Sequence, residues 1–138
     1  MPRVVLDPNV LVSALITPRG ASARLLVELR AGAFELLISP LLLTELEEVL
    51  RRPKFRRYVS EAEVQEFVAL IEGESTVIED PDPPPAALSE DPGDDYLIAL
   101  ARKAHAHALV SGDPHLTRLR TAIPVLAPSE FLESLPSL

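Results

Sequence analysis

Cysteine and tryptophan are absent from this chain of 138 residues, methionine occurs once, and aromatic residues make up only 4%. Without cysteine, the chain cannot form a disulfide framework, a thiolate zinc site or a cysteine nucleophile. Long apolar runs are also lacking, since uncharged stretches such as residues 36–44 fall far short of the ~20 residues that span a bilayer. We therefore expect a cytoplasmic protein that does not engage a membrane.

The composition is that of a globular protein. Hydrophobic residues make up 47% and charged residues 25%, which excludes a disordered or fibrous chain. The length corresponds to one domain, and we expect that domain to cover residues 1–138.

Negative charge dominates, with a net charge of −8, but it is unevenly distributed. Residues 1–60 contain nine Lys and Arg against six Asp and Glu, whereas residues 61–138 contain four against fifteen. Five cations fall within seven positions, and we call them the basic segment: Arg51, Arg52, Lys54, Arg56 and Arg57. The basic segment is either a phosphate-binding patch or a solvated helix end that interacts with the helix dipole.

Short apolar runs alternate with helical patterns along the chain. Strands are predicted at residues 4–6, 34–38, 76–78, 108–110 and 125–126. Helices are predicted between them from the 3.6-residue spacing of apolar side chains, and Ser60 with Glu63 forms a capping box at the start of one. The alternation predicts an α/β fold, a three-layer α/β/α sandwich with a mainly parallel sheet of about five strands.

Acidic residues fall near the ends of these predicted strands. Asp7 directly follows the first strand, and Asp113 follows the fourth. Glu45 lies in the second turn of the helix after the second strand, and Asp94 lies at the start of the helix that leads to the fourth. Because functional residues of parallel sheets gather at the carboxyl edge, these four carboxylates can converge there.

A set of four converging carboxylates implies a bound cation. The carboxylates would otherwise repel each other and raise one another's pKa, and an all-oxygen set suits Mg²⁺ or Mn²⁺. Taken singly, each acid is better explained as a helix cap or first-turn residue that the helix dipole favours. Taken together, the four acids favour a metal site.

Four motifs occur in order along nearly the whole chain: VVLDPNVLVSAL, SPLLLTELEEVL, EDPGDDYLIALARKAHA and ALVSGDPHL. In content and spacing they resemble the PIN-domain ribonucleases, and in particular the toxin components of bacterial toxin–antitoxin systems. The resemblance implies a PIN-like fold, Mg²⁺- or Mn²⁺-dependent cleavage of RNA, an antitoxin partner and a homodimer. We expect the apolar helix at residues 64–71 to supply the dimer contact.

The resemblance also implies site residues. The four acids of the family, which bind the metal and act in catalysis, fall on Asp7, Glu45, Asp94 and Asp113. The polar residue that follows the first acid by two positions falls on Asn9, which would act with them in catalysis.

Two details of the matched motifs bear on the site. Asp91 and Asp95 lie close to the third acid and are alternatives to Asp94, which the spacing to the following strand favours. Pro8 stands where the family usually has threonine or serine between the first acid and the asparagine. The contact of that hydroxyl with the site is therefore lost, while the carboxylate set is intact.

Three functions compete at this point. The first is a metal-dependent endoribonuclease, in which the ion activates water for in-line attack and the basic segment grips flanking RNA phosphates. The second is a phosphate-accepting signalling domain of flavodoxin-like topology with Asp7 or Asp113 as acceptor, which the lack of a lysine after a late strand disfavours. The third is a catalytically inactive protein-binding module, which the four intact acids disfavour.

Overall fold

Strands and helices alternate along the chain in the computed structural model, which describes residues 1–81, 92–118 and 123–136, with the backbone alone at 92–95. The strands are β1 (Arg3–Leu6), β2 (Glu35–Ile38), β3 (Ser75–Val77), β4 (Ala108–Val110) and β5 (Val125–Leu126). The helices are α1 (Pro8–Ile16), α2 (Ala21–Arg30), α3 (Pro40–Leu50), α4 (Glu61–Glu74), α5 (Pro92–Lys103), α6 (Pro114–Thr117) and α7 (Pro128–Ser134). A 3₁₀ turn, Pro53–Phe55, lies between α3 and α4.

The five predicted strands are confirmed and form one parallel sheet. They are arranged in the order β3-β2-β1-β4-β5, and Val4 of the central strand lies opposite both Leu36 and Ala108. Apart from Arg3 and Glu35, which begin β1 and β2 and form an ion pair, the side chains on β1, β2 and β4 are apolar and at most 5% exposed, as expected for parallel strands covered on both faces. The predicted α/β fold class is therefore confirmed.

The strand order reverses direction between β1 and β4. The chain proceeds from β1 outwards to β2 and β3, and then returns past β1 to form β4 and β5 on the other side. Because crossover connections between parallel strands are right-handed, the helices before and after this reversal cover opposite faces of the sheet. The carboxyl ends of β1 and β4 thus flank the switch point, where open α/β sheets bind their ligands.

Helix caps fix where several of these elements begin. Ser39 caps α3 by accepting a hydrogen bond from the Leu42 N–H at 3.2 Å, and the predicted capping box of Ser60 and Glu63 is present at the start of α4. Pro8 is buried in the first turn of α1, where a helix needs no N–H donor and favours the fixed φ of proline. The departure from the family pattern at this position is therefore compatible with the helix that follows Asp7.

The apolar face of α4 packs inside the molecule. Val64, Phe67 and Ile71 are at most 5% exposed and belong to the main core cluster, in which α4 packs against α3. The expectation that residues 64–71 supply a dimer contact is therefore wrong, because the same side chains are needed to cover the protein's own core.

No single helix within the described ranges is long and apolar enough to cross a membrane. Only α1 and α2 counted together reach that length and composition, and a bend of 97° separates them. Much of their apolar surface lies in the core, where Leu11 and Leu25 are at most 1% exposed.

Candidate active site

Asp7 connects β1 to α1 at the carboxyl edge of the sheet. Its backbone N–H donates to the Val110 carbonyl at 2.9 Å, which continues the pairing of β1 with β4 beyond the last residue of β1. Its side chain caps α1, because Oδ1 accepts a hydrogen bond from the Asn9 N–H at 3.0 Å. Asp7 is only 6% exposed, so these contacts hold its carboxylate in a fixed orientation.

Ser111, just after β4, links the two acids at this edge. Its buried Oγ donates to Asp7 Oδ2 at 2.9 Å and accepts from the Asp113 N–H at 3.0 Å. Asp113 in turn caps α6, since its Oδ1 accepts from the His115 N–H at 2.9 Å. One hydroxyl thus sets the position of Asp113 relative to Asp7.

Asp7 and Asp113 face a common cleft of about 430 Å³. Asn9, which the sequence placed with the catalytic residues, is exposed and lines the same cleft. Among the residues that the structure describes, the cleft is lined by Asp7, Asn9, Val10, Ser13, Ser22, Gly112, Asp113 and Pro128. Three of the predicted site residues are therefore brought together at the switch point.

Glu45 lies in the second turn of α3 and is exposed, and it is outside the described lining of the cleft. Its charge acts on Tyr96 in the first turns of α5. Burial is the largest cause of the raised pKa of the Tyr96 hydroxyl, the hydrogen bond to Asp80 adds to it, and the negative charge of Glu45 adds further. Within the described residues, Glu45 is therefore not grouped with the acids of the cleft.

The third predicted acid falls at the edge of the described chain. Asp94 and its alternative Asp95 lie in the first turn of α5, but their side chains are outside the described part. Asp91 lies outside the described residues altogether. The backbone of α5 nevertheless places the Asp94 position two residues before Tyr96, whose hydroxyl contacts Ser39 at the start of α3.

The chemistry of the cleft suits a hard divalent cation. Within the described ranges, no three carboxylate or imidazole side chains are grouped as a metal site. Asp7 and Asp113 nevertheless present two carboxylates to one cleft, beside the amide of Asn9. Mg²⁺ is typically held by one or two carboxylates while water and phosphate complete its shell. These oxygen donors therefore fit Mg²⁺ or the similar Mn²⁺.

A second polar cluster lies between α3 and α5, and the sequence reasoning missed it. The Tyr96 hydroxyl makes a short hydrogen bond with Ser39 Oγ and donates to Asp80 Oδ1 at 2.6 Å. The available signal was a phenol at the start of the apolar run of α5, but its partners are 57 and 16 residues away in sequence. Only the fold brings them together.

The basic segment is divided by the structure. Arg51 is held by acids, with Nη2 lying 2.8 Å from Glu61 Oε1 and 3.3 Å from Glu47 Oε1. The hydrogen bond from Arg51 is the main cause that lowers the pKa of Glu61. Lys54 Nζ lies 5.0 Å from the centre of the Phe55 ring. The remaining members, Arg52, Arg56 and Arg57, are exposed.

Known proteins share this fold and part of its sequence pattern. The family model described as PIN domain matches residues 3–115. Among solved structures, VapBC2 from Rickettsia felis, bound to a DNA fragment from its promoter, matches with a TM-score of 0.63 and 17% sequence identity. The match covers 91% of this chain and 98% of that chain. PAE2754 from Pyrobaculum aerophilum matches with a TM-score of 0.62 and 16% sequence identity, covering 97% of this chain and 88% of that chain. No curated protein matches the chain in sequence.

Proposed function

The chain belongs to the PIN-domain family, and from that premise we propose that it is a metal-dependent endoribonuclease and the toxin of a toxin–antitoxin pair. The observation that carries the proposal is the pairing of Asp7 with Asp113. Both acids face one cleft at the switch point of the sheet, and Ser111 hydrogen-bonds to both. Fold likeness alone would not support an activity, whereas acids arranged in this way do.

Asp7 and Asp113 would hold Mg²⁺ or Mn²⁺, with Glu45 and Asp94 as the further ligands. When bound, such an ion supplies charge compensation to the carboxylates and Lewis acidity toward the phosphodiester group and an attacking water. The hydrogen bonds from Asn9 N–H and Ser111 Oγ orient the Asp7 carboxylate before any ligand arrives. The exposed Asn9 side chain would donate to a phosphate oxygen of the RNA.

The basic segment supports RNA as the substrate, in a revised form. Arg51 is committed to Glu61 and Glu47, so we assign it to the fold. The exposed cations that follow it, Arg52, Lys54, Arg56 and Arg57, are the candidates for phosphate contacts. They lie beyond the end of α3, the helix that carries Glu45, so they would contact RNA phosphates that flank the cleft rather than those within it.

An antitoxin and a second copy of the chain are the proposed partners. Likeness to VapBC2, whose structure contains promoter DNA, supports a protein that acts within such an assembly. A homodimer would have to use a surface other than the buried face of α4, and light scattering of the purified chain would measure its mass. We also propose a cytoplasmic location, in keeping with the proposed function as an endoribonuclease.

The phosphate-accepting alternative loses support from the positions of the two lysines. The side chain of Lys103 donates to the Asp80 carbonyl at 2.9 Å, and that of Lys54 lies over a phenylalanine ring. Neither is among the described residues that line the cleft with Asp7 and Asp113. An acceptor aspartate would lack the cation that such signalling domains place beside the phosphoryl group.

Cleavage of total RNA by purified protein tests the proposal. The wild type, Asp7→Asn, Asp113→Asn and the control Glu66→Gln, an exposed acid on α4, are compared with Mn²⁺, with Mg²⁺ and with chelator. We expect metal-dependent cleavage by the wild type and the control, and none by the two cleft variants. Sequencing of the cleaved ends would identify the target. Cleavage that persists in Asp7→Asn or in chelator would contradict the proposed mechanism.

A further inference from the structure

The Tyr96 hydroxyl connects the two helices that carry the remaining predicted acids, α3 with Glu45 and α5 with Asp94. We infer that Tyr96 is a positioning residue, whose hydrogen bonds to Ser39 and Asp80 hold the first turns of α5 against the start of α3 and thereby place the acids of both helices for metal binding. This inference rests on the proposed function, because it concerns the same metal site.

The hydrogen-bond directions in this cluster follow from its chemistry. Because the carboxylate of Asp80 can only accept, the Tyr96 O–H donates to it at 2.6 Å. The hydroxyl of Ser39 then donates to the Tyr96 oxygen, and Ser39 Oγ still accepts from the Leu42 N–H to cap α3. Ser39 is fully buried, whereas Tyr96 and Asp80 are partly buried, so the Ser39 end of the arrangement is the part shielded from competing water.

Asp80 extends the connection to both helices. Its Oδ2 accepts from the Leu41 N–H at 3.3 Å, in the first turn of α3, while its carbonyl accepts from Lys103 at the last turn of α5. Burial, the largest single influence, raises the pKa of Asp80, but hydrogen bonds, among them those from the Tyr96 hydroxyl and the Leu41 N–H, hold it below its usual value. An ionised Asp80 thus contacts α5 near both ends and restrains its position along its axis.

Both acids lie within two helical turns of this cluster along their own helices. Glu45 follows Ser39 by less than two turns of α3. Asp94 precedes Tyr96 by two residues in α5. Metal ligands must be held within about 0.5 Å of their working positions, and loss of a residue that orients them typically weakens metal affinity by about 10- to 100-fold. The Tyr96 hydroxyl links α5 to Ser39, the residue that caps α3.

Direct metal binding by Tyr96→Phe tests the inference. The substitution removes the hydroxyl and retains the ring, and the chain offers a matched control in Tyr58→Phe, its other tyrosine, which is 58% exposed. Titration calorimetry with Mn²⁺ alone is expected to give about tenfold weaker binding for Tyr96→Phe and wild-type binding for Tyr58→Phe. RNA cleavage by Tyr96→Phe should recover most of the wild-type rate at saturating Mn²⁺.

The outcomes separate this inference from the proposed function. If the wild type binds no Mn²⁺, the proposed function fails and the inference fails with it. If the wild type binds Mn²⁺ and Tyr96→Phe binds it equally well, with or without a lower Tm, Tyr96 has only a structural role and the inference alone is overturned. Should Tyr96→Phe not fold, Asp80→Ala removes the acceptor instead, and the same weakening of Mn²⁺ affinity is expected. Wild-type Mn²⁺ affinity in Asp80→Ala would then overturn the inference.

Discussion

Ser111 Oγ donates a hydrogen bond to Asp7 Oδ2 at 2.9 Å, so a residue just after β4 orients the acid that ends β1, 104 positions earlier in the chain. The same oxygen accepts from the Asp113 N–H, which places the second acid of the cleft. The relationship exists only because β1 and β4 are adjacent at the point where the strand order reverses. In the sequence, Ser111 lies within the motif ALVSGDPHL, where nothing local indicates that it contacts Asp7.

Removing that hydroxyl should affect both stability and activity. Ser111→Ala leaves the buried carboxylate of Asp7 short of one hydrogen bond, so we expect unfolding free energy to fall by about 1–3 kcal/mol. RNA cleavage at limiting Mn²⁺ should fall with it, because Asp7 is less well oriented. Urea denaturation and cleavage assays check the two effects, with the exposed Ser129→Ala as control. If Ser111→Ala matches the wild type in both stability and cleavage, the Ser111 hydroxyl neither stabilises the fold nor orients Asp7.

Two substitutions of Asp7 separate its role as the cap of α1 from its proposed role in cleavage. Asp7→Asn keeps an oxygen that accepts from the Asn9 N–H, so its Tm should stay close to that of the wild type while cleavage is lost. Asp7→Ala also loses the cap, which costs about 1–2 kcal/mol. Chemical denaturation of both variants measures the difference. If Asp7→Asn unfolds as readily as Asp7→Ala, the carboxylate is needed chiefly for the fold.

Much of the fold could be predicted because its signals are local. An apolar run such as residues 4–6 and a capping box such as that of Ser60 with Glu63 act over a few residues, and the structure confirms both. Local patterns also placed Asp7 and Asp113 at strand ends, and the geometry of parallel sheets then brought them together.

The interpretations that went wrong or were missed depend on long-range packing. The apolar stripe of α4 is the same in sequence whether it faces a partner or the protein's own core, and the structure shows that it packs in the core. Arg51 looked like its basic neighbours until the fold placed Glu61 beside it. The contact between Tyr96 and Ser39 has no local signature, because α3 and α5 are distant in sequence.

The capping box of α4 should make stability depend on pH. Hydrogen bonds with the Ser60 backbone and side chain lower the pKa of Glu63 below its ordinary 4.5, so its stabilising effect is present above that pH and is lost as the pH falls through the lower value in the folded state. Glu63→Gln accepts the same hydrogen bond but does not titrate. The Tm of the wild type should therefore exceed that of Glu63→Gln near neutral pH, and the two should converge near pH 3.

Thermal scans between pH 7 and pH 3 measure this convergence. Glu66→Gln removes the same charge from α4 outside the capping box, and we expect it to show a smaller difference from the wild type. A Tm difference for Glu63→Gln that does not change with pH would mean that the carboxylate charge plays no part in the cap.

The contact between Phe34 and Phe131 fixes α7 to the rest of the core. The two rings meet edge to face at 5.2 Å between centroids, and each is at most 3% exposed. Phe131→Ala should lower the unfolding free energy by about 3–5 kcal/mol, since it removes a buried ring and leaves a cavity. Phe131→Leu should lower the unfolding free energy by less, because the leucine side chain fills most of that cavity. Equal losses in urea denaturation would indicate that α7 detaches in both variants.

The division within the basic segment leads to a prediction about salt. If Arg52, Lys54 and Arg57 contact RNA phosphates, replacing all three by alanine removes up to about three counterion-releasing contacts, and the slope of log K against log salt should flatten by about two for single-stranded RNA. Arg51→Ala should leave that slope unchanged and lower the Tm slightly, because its partners are Glu47 and Glu61. Fluorescence anisotropy with catalytically inactive Asp113→Asn as the background measures the slopes without cleavage. A flattened slope in Arg51→Ala would mean that its ion pairs open for RNA, and an unchanged slope in the triple variant would show that RNA is held elsewhere.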